Sequence, residues 1–355
     1  MTASLRGFTR LLLLLAATGV ALAETHAPPP PRLLEVPQGA LVAPGKAAEL
    51  ELLFTGDVIG YIEDCGCKLN PAGGLARRAW LLNQIKTNYP STPVVLLDSG
   101  NYTDNPTEAG EIRTAALLDA MVKLGYKAAN VGDRDLTLGY EEFQKKVKGL
   151  DLAFVSTNIV KEGTTETVFP PYTVVEVKGA SGKPVRIGVL GLLRYSPVWQ
   201  KAGPAGTNLA VAQPAEMLRR VLPEVSAKSD LVVVLASLSK EDAHELAKQF
   251  QDIDLLLGTY GGIYNTVEEN EGRVRIYYSG NQGKRIGESR ITFDAKRNVA
   301  DVTTYMHFLT ARYPDDKAMH ETVAAVNEKL PKPPEPEKAQ APQKLAIAPP
   351  SPGGQ

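Results

Sequence analysis

The chain has 355 residues, 39 basic against 40 acidic side chains, a formal net charge of −1 and 43% hydrophobic residues. So even a balance, without a block of like charge, gives no global field for nucleic acid and is ordinary for a globular protein. No C-x-x-C-H run is present, which excludes covalently attached haem.

The chain opens with Arg6 and Arg10, an apolar core of Leu11 to Leu15 with Ala16 and Ala17, and Ala21-Leu22-Ala23, which fits a small-x-small cleavage site. Residues 1–23 therefore read as a signal peptide; the competing reading, an uncleaved anchor, needs a longer apolar stretch. No cysteine follows the apolar core, so no lipid anchor is expected on a mature N-terminal cysteine. The mature protein is expected to be periplasmic or secreted, with no membrane span after cleavage. Residues 24–46, including the proline-rich Ala27 to Arg32, read as a linker, and 47–329 as the globular part. From 330 to 355 proline, lysine, glutamate and alanine dominate, the composition of a disordered tail.

Within the globular part, strands and helices are expected to alternate. Strand Glu49 to Phe54 leads through Thr55-Gly56-Asp57 and a loop holding Cys65 and Cys67 into helix Gly74 to Asn88. Strand Val94 to Leu97 enters the turn Asp98-Ser99-Gly100-Asn101, and helix Glu111 to Leu124 precedes strand Lys127 to Val131 and Gly132-Asp133-Arg134-Asp135. Another helix begins near Tyr140, and Ala153 to Ser156 is the next strand. This βαβαβαβ order predicts a parallel sheet covered on both faces, with ligands beyond the carboxyl ends of its strands. In the second half, Tyr172 to Val177 and Val185 to Leu190 flank Gly179-Ala180-Ser181-Gly182 as a hairpin. Helix Pro214 to Ala227, strand Leu231 to Leu235, helix Lys240 to Phe250 and strand Ile253 to Leu257 follow. Three late strands, Arg273 to Tyr278, Ile286 to Phe293 and Asp301 to Phe308, precede a final helix, about Asp315 to Lys329.

Several of these pieces carry a resemblance. Strand-Thr-x-Asp, then Gly-Gly-Leu-Ala-Arg, an LLDSG turn and LGYKAANVGDRDLTLG resemble the metallophosphoesterase domain of the 5′-nucleotidase and UDP-sugar hydrolase family. Phe154-Val155-Ser156-Thr157-Asn158, KPVRIGVLGL, DIDLLLG and YYSGNQGKRIG extend it over about Glu49 to Asp294. The resemblance implies a four-layer αββα sandwich of two mixed sheets, with two divalent metals (manganese, zinc or magnesium) at the strand ends. Such a pair, about 4 Å apart, polarises a phosphate and lowers the pKa of bound water.

Carried over residue by residue, most of the implied ligands are replaced. The family's Asp-x-His is Asp57-Val58-Ile59, its bridging Asp falls on Asn101, and its Gly-Asn-His-Glu is Gly132-Asp133-Arg134-Asp135. Its later histidines fall on Ser237 and, in Gly-His-x-His, on Thr259-Tyr260-Gly261-Gly262. Asp57, Asn101 and Asp133 are the residual metal candidates, and Asp57, Asp133 and Arg134 the residual catalytic ones. No cofactor is expected unless hydrolysis survives. Asp57 and Asp133 are expected to repel, raising one pKa. Arg134 either bridges the two carboxylates or points to solvent.

Cys65-Gly66-Cys67 leaves three readings open: a disulfide or thiol pair stiffening the loop, a strained and easily reduced redox pair, or an incomplete metal site. Arg77 and Arg78 either meet an anionic ligand or form a solvated helix face. Tyr260 is expected to pack or to stack on a base, and Asn158 to close a turn. The leading expectation is an exported, non-catalytic protein that binds a ligand or protein partner at the former active-site face. The alternatives are an atypical metal-dependent phosphoester hydrolase and a thiol-redox protein using Cys65 and Cys67.

Overall fold

A computed structural model describes residues 33–331 except 38, 46, 47, 138 and 196–207; the stretch 1–23 expected to be a signal peptide, the proline-rich stretch 27–32 and nearly all of the expected tail lie outside the described residues. In chain order come strands β1 (Leu33–Glu35) and β2 (Leu50–Thr55), helix α1 (Leu75–Asn88), β3 (Val94–Asp98), α2 (Glu108–Leu124) and β4 (Tyr126–Asn130). A short 3-10 turn (Arg134–Leu136), α3 (Tyr140–Val147), β5 (Ala153–Val155) and β6 (Ile159–Lys161) complete the first half. The second half runs β7 (Tyr172–Lys178), β8 (Pro184–Leu193), β9 (Leu209–Val211), α4 (Pro214–Lys228), β10 (Leu231–Ser237), α5 (Lys240–Gln249) and β11 (Leu255–Gly258). It ends with β12 (Glu269–Glu271), β13 (Val274–Tyr278), β14 (Arg285–Phe293), β15 (Val299–Phe308) and α6 (Lys317–Asn327).

Two mixed sheets form, ordered β1-β15-β14-β2-β3-β4-β5 and β12-β13-β11-β10-β8-β7. In the first, β2 to β5 are parallel and β14 runs antiparallel to both neighbours. In the second, β8, β10, β11 and β13 are parallel, while β7 and β12 close the edges antiparallel. The period of two along each strand sends alternate side chains to opposite faces. Leu50, Leu52 and Phe54 of β2 meet Ile187, Val233 and Leu257 between the sheets, whereas Leu53 packs with Leu75, Leu82 and Met121 under the helices. Val232, Val234 and Leu256 turn to the far side, onto Leu218, Val225 and Leu246 of α4 and α5. Helix, sheet, sheet, helix is the four-layer αββα sandwich the sequence implies. The hairpin at Gly179 to Gly182 also forms, pairing Lys178 with Pro184.

The stretch expected to be a linker is partly built into the fold. Leu33–Glu35 add to β15 as an edge strand. Further along, the carbonyls of Ala43 and Pro44 accept from the Arg290 guanidinium at 2.9 and 2.8 Å. That guanidinium also holds Glu288 (2.8 Å) and Glu51 (3.3 Å), and His307 Nε2 contacts the second oxygen of Glu288 at 2.6 Å. All four side chains are buried on the helix-covered face of the first sheet.

Candidate functional site

The carboxyl ends of β2 to β4 and of β8 to β11 open into a cavity of about 330 Å³. Asp57 follows β2, Asn101 follows β3, Asp133 and Arg134 follow β4, and Arg194, Ser237 and Tyr260 follow β8, β10 and β11. Three candidates from separate stretches of sequence, Asp57, Asn101 and Asp133, thus line one wall, joined by Arg134.

Asn101 is the centre of the site. Its amide nitrogen donates to Asp57 Oδ1 at 2.9 Å and to Ser237 Oγ at 3.3 Å, and its amide oxygen accepts the backbone N–H of Arg134 at 3.2 Å. Asp57 and Asn101 both sit in the left-handed region, at φ 47° and 61°, with Ile59 (54°) and Gln282 (56°) nearby in the chain's strand-end loops. Non-glycine residues there carry backbone strain, which concentrates where a site must be held in shape. Behind them the Asp135 carboxylate accepts three backbone N–H groups, Asn101 (2.8 Å), Gly132 (2.9 Å) and Thr103 (3.0 Å). Asp135 therefore positions both loops.

Below the cavity a second polar chain runs through the sheet. Arg78 donates to the Tyr126 hydroxyl (3.2 Å), Tyr126 and Thr55 are 3.0 Å apart, and Thr55 donates to Asp98 at 2.5 Å. Arg78 is 1% exposed, so it is neither a solvated face nor a ligand clamp, contrary to both expectations. Its neighbour Arg77 pairs with Asp64 and Asp315 instead.

Burial raises Asp57 above the ordinary carboxylate range, against hydrogen bonds from Asn101, Thr259 and Gly262; Asp133 adds only the smallest of these effects. Like-charge repulsion is thus a minor cause of a shift expected from it. Burial also pushes Asp98 up to about 6, Asp135 up to about 7 and Glu51 up to about 8. Each of these three then holds a proton in the folded chain that the unfolded chain has released, so stability falls as pH rises through the interval. Tm is expected to decline from about pH 5 to about pH 8.5, and Glu51→Gln to flatten the upper part of that decline. A Tm that climbs across the interval in a pH series would contradict this sign.

The Arg134 guanidinium does not bridge the carboxylates. It donates to Asn105 Oδ1 (3.1 Å) and the Thr103 carbonyl (3.5 Å), and among the described residues it forms no ion pair with Asp57 or Asp133. Its backbone amide donates to Asp133 Oδ1 at 3.0 Å, so Asp133 caps the short 3-10 turn. Tyr260 lies under the Arg194 guanidinium, 5.2 Å from ring centroid to carbon. The Asn158 side chain does not close a local turn as expected but ties distant segments together, donating to the Leu193 and Ala212 carbonyls and accepting the Leu193 N–H. The disulfide expected of Cys65 and Cys67 is not formed, and both are free thiols. Among the described residues no group of three or more His, Cys, Asp and Glu side chains is placed to hold a metal ion. Nor is any helix among them long and apolar enough to cross a membrane.

Sequence reasoning left out Asn281, Arg194 and the role of Asp135. Asn281 lies inside the YYSGNQGKRIG run that carried the resemblance, which was the available signal. Arg194 had none.

The α/β fold, with its mixed sheets and helices, is that of the 5′-nucleotidase and calcineurin-like phosphoesterase structures. No family model matches the chain. It is 26% identical over 220 residues to a Haemophilus influenzae 2′,3′-cyclic-nucleotide 2′-phosphodiesterase/3′-nucleotidase, a match covering 57% of this chain and 33% of that protein. The 5′-nucleotidase precursor of Thermus thermophilus superposes with a TM-score of 0.66 at 23% identity, over 79% of this chain and 58% of the other. The calcineurin-like phosphoesterase YfkN of Bacillus subtilis gives 0.67 at 19% identity, over 80% and 98%.

Proposed function

We propose that this chain is an exported protein of the phosphoesterase fold that has lost its metal centre and binds a ligand or protein partner at the strand-end cavity without turning it over. One observation carries the reading. Where the family resemblance implies a bridging carboxylate, Asn101 presents an N–H donor 2.9 Å from Asp57 Oδ1. A cation there would have to compete with that donor, which faces the carboxylate where a bridging carboxylate would face the metal, and a dinuclear centre needs several more donors than Asp57, Asp133 and one amide oxygen supply. The amide oxygen is itself engaged by Arg134 N, and Asp133 by the same amide. The residues present do not fit a two-metal site.

What remains suits recognition. The cavity sets Asp57 and Asp133 against Arg134 and Arg194, with Tyr260 and Asn281 offering a ring and an amide. Strained loops at Asp57 and Asn101 keep those groups in fixed positions.

The competing reading, an atypical metal-dependent phosphoester hydrolase, draws its support from the name of the Haemophilus influenzae relative. Thermal unfolding separates the two. A metal bound by the folded chain alone at a hundred times its Kd adds about 2.7 kcal/mol of stability. We expect millimolar manganese, zinc or magnesium to leave Tm unchanged; a rise abolished by Asp57→Ala would support the hydrolase.

A further inference from the structure

The loop between β2 and α1 carries chemistry that the strand-end cavity does not use. Its base is clasped: Cys65 N donates to the Ala72 carbonyl at 2.9 Å, Asp64 and Gly73 form an isolated bridge, and Arg77 ties Asp64 to the start of α1 at 3.5 Å. Gly66 turns the chain at φ 64°, and its amide donates to Asp64 Oδ1 at 2.9 Å. A Cβ there would meet nothing within 4 Å, so the position demands the left-handed backbone and not extra room. Beyond the turn residues 66–70 are exposed, and Leu69 projects wholly into solvent at 101% exposure.

This turn folds Cys67 back on its partner, so that its thiol donates to the Cys65 carbonyl at 3.9 Å, and makes the two thiols unequal. Burial works against a Cys65 thiolate, but the Cys67 thiol, the amides of Ala72 and Cys67 and the charge of Lys284 together hold Cys65 below its ordinary value. Hydrogen bonding to Cys65 pushes Cys67 upward. One sulfur is prepared to attack and the other to hold its proton until needed. Leu69 adds an apolar contact two residues beyond Cys67, suited to a polypeptide more than to a small polar disulfide.

We propose that Cys65-Gly66-Cys67 is a dithiol site for isomerising exposed disulfides of other polypeptides, a function independent of the cavity. The Cys65 thiolate attacks one sulfur of a substrate disulfide. A bond forms between Cys65 and that sulfur, the substrate's S–S bond breaks, and its second sulfur leaves as a thiolate. A different substrate thiolate then attacks the bound sulfur, forming the new substrate disulfide and returning Cys65 as a thiolate. No electrons are gained or lost overall. When no substrate thiol is in reach, Cys67 passes its proton to a leaving thiolate and attacks Cys65. This releases the substrate as a dithiol and closes a Cys65–Cys67 disulfide. So small a ring is strained, so a substrate dithiol reopens it and is itself oxidised.

The test uses the reduced full-length mature chain and scrambled ribonuclease A, followed by recovery of ribonuclease activity. Wild type should restore activity above the uncatalysed rate, and Cys65→Ser should fall to that background. Cys67→Ser should slow recovery roughly tenfold and accumulate a mixed disulfide at Cys65, seen by mass spectrometry. Leu69→Ser should slow recovery further than it slows reaction with a small aromatic disulfide. Circular dichroism of each variant should be unchanged, because all three positions lie on the surface loop. A wild-type rate equal to that of the Cys65→Ser/Cys67→Ser double variant overturns the proposal. Adducts trapped at Cys67 in place of Cys65 overturn the assignment of roles, and an unaffected Leu69→Ser overturns the polypeptide preference.

Discussion

Asp135→Ala is expected to destabilise the fold by about 3–5 kcal/mol, lowering Tm by about 6–15 °C. The carboxylate is 4% exposed and is the acceptor for three backbone amides, those of Asn101, Thr103 and Gly132. Alanine leaves those donors buried beside a new cavity, and each unsatisfied group costs about 1–3 kcal/mol before water or backbone movement relieves part of it. The damage is also local to function, because the amide of Asn101 belongs to a residue held at φ 61°. Asp135→Asn keeps one acceptor oxygen and should lose less. Being neutral at every pH, it should also lessen the decline of stability above about pH 5. Urea unfolding of the three proteins measures both effects. A loss below about 1 kcal/mol for alanine would mean that the two loops are held by something other than this carboxylate.

Asn101→Asp is expected to destabilise by about 2–4 kcal/mol at neutral pH, although it restores the residue that the family resemblance implies. It exchanges the donor that faces Asp57 for a second carboxylate, so two like charges meet across a distance now spanned by a hydrogen bond of 2.9 Å. Ser237 Oγ loses the same donor. One of the pair must take up a proton or the loops must part. Acid should therefore rescue the variant, with the difference from wild type shrinking as pH falls below about 5. Added manganese should not rescue it, because Ser237 and Tyr260 stand where the family resemblance implies histidines. Thermal melts at two pH values, with and without metal, give the result directly. Rescue by manganese and not by acid would show that the remaining groups still form a cation site.

Most of the fold was legible because long apolar strands declare themselves. LELLFT and LVVVLAS are buried along their whole length, and a mainly apolar run, broken in the first only by Glu51, is what a strand covered on both faces requires. The hairpin at Gly179 to Gly182 and the parallel order of β2 to β5 followed from turn residues and alternation. β1 and β12 did not, since LLE and ENE are three residues each and half exposed, and their pairing depends on neighbours distant in sequence. Asp57, Asn101 and Asp133 were found through motif order, and they do share a wall. The partners of those residues were harder to see. Asp135 acts through backbone amides on two other loops, Arg134 turns toward Asn105, and Arg78 is drawn inward by the Tyr126 hydroxyl. None of these directions is a property of local sequence. Cysteine parity in a chain read as exported suggested a bridge, whereas both thiols are free.

The most direct measurement is the metal content of the purified mature protein by elemental mass spectrometry, paired with hydrolysis of a generic phosphate ester in added manganese. Loss of the metal centre predicts substoichiometric metal and no turnover above a protein-free control. Two tightly held metals per chain, with turnover that disappears on chelation and in Asp57→Ala, would contradict it and restore the chain to the working phosphoesterases.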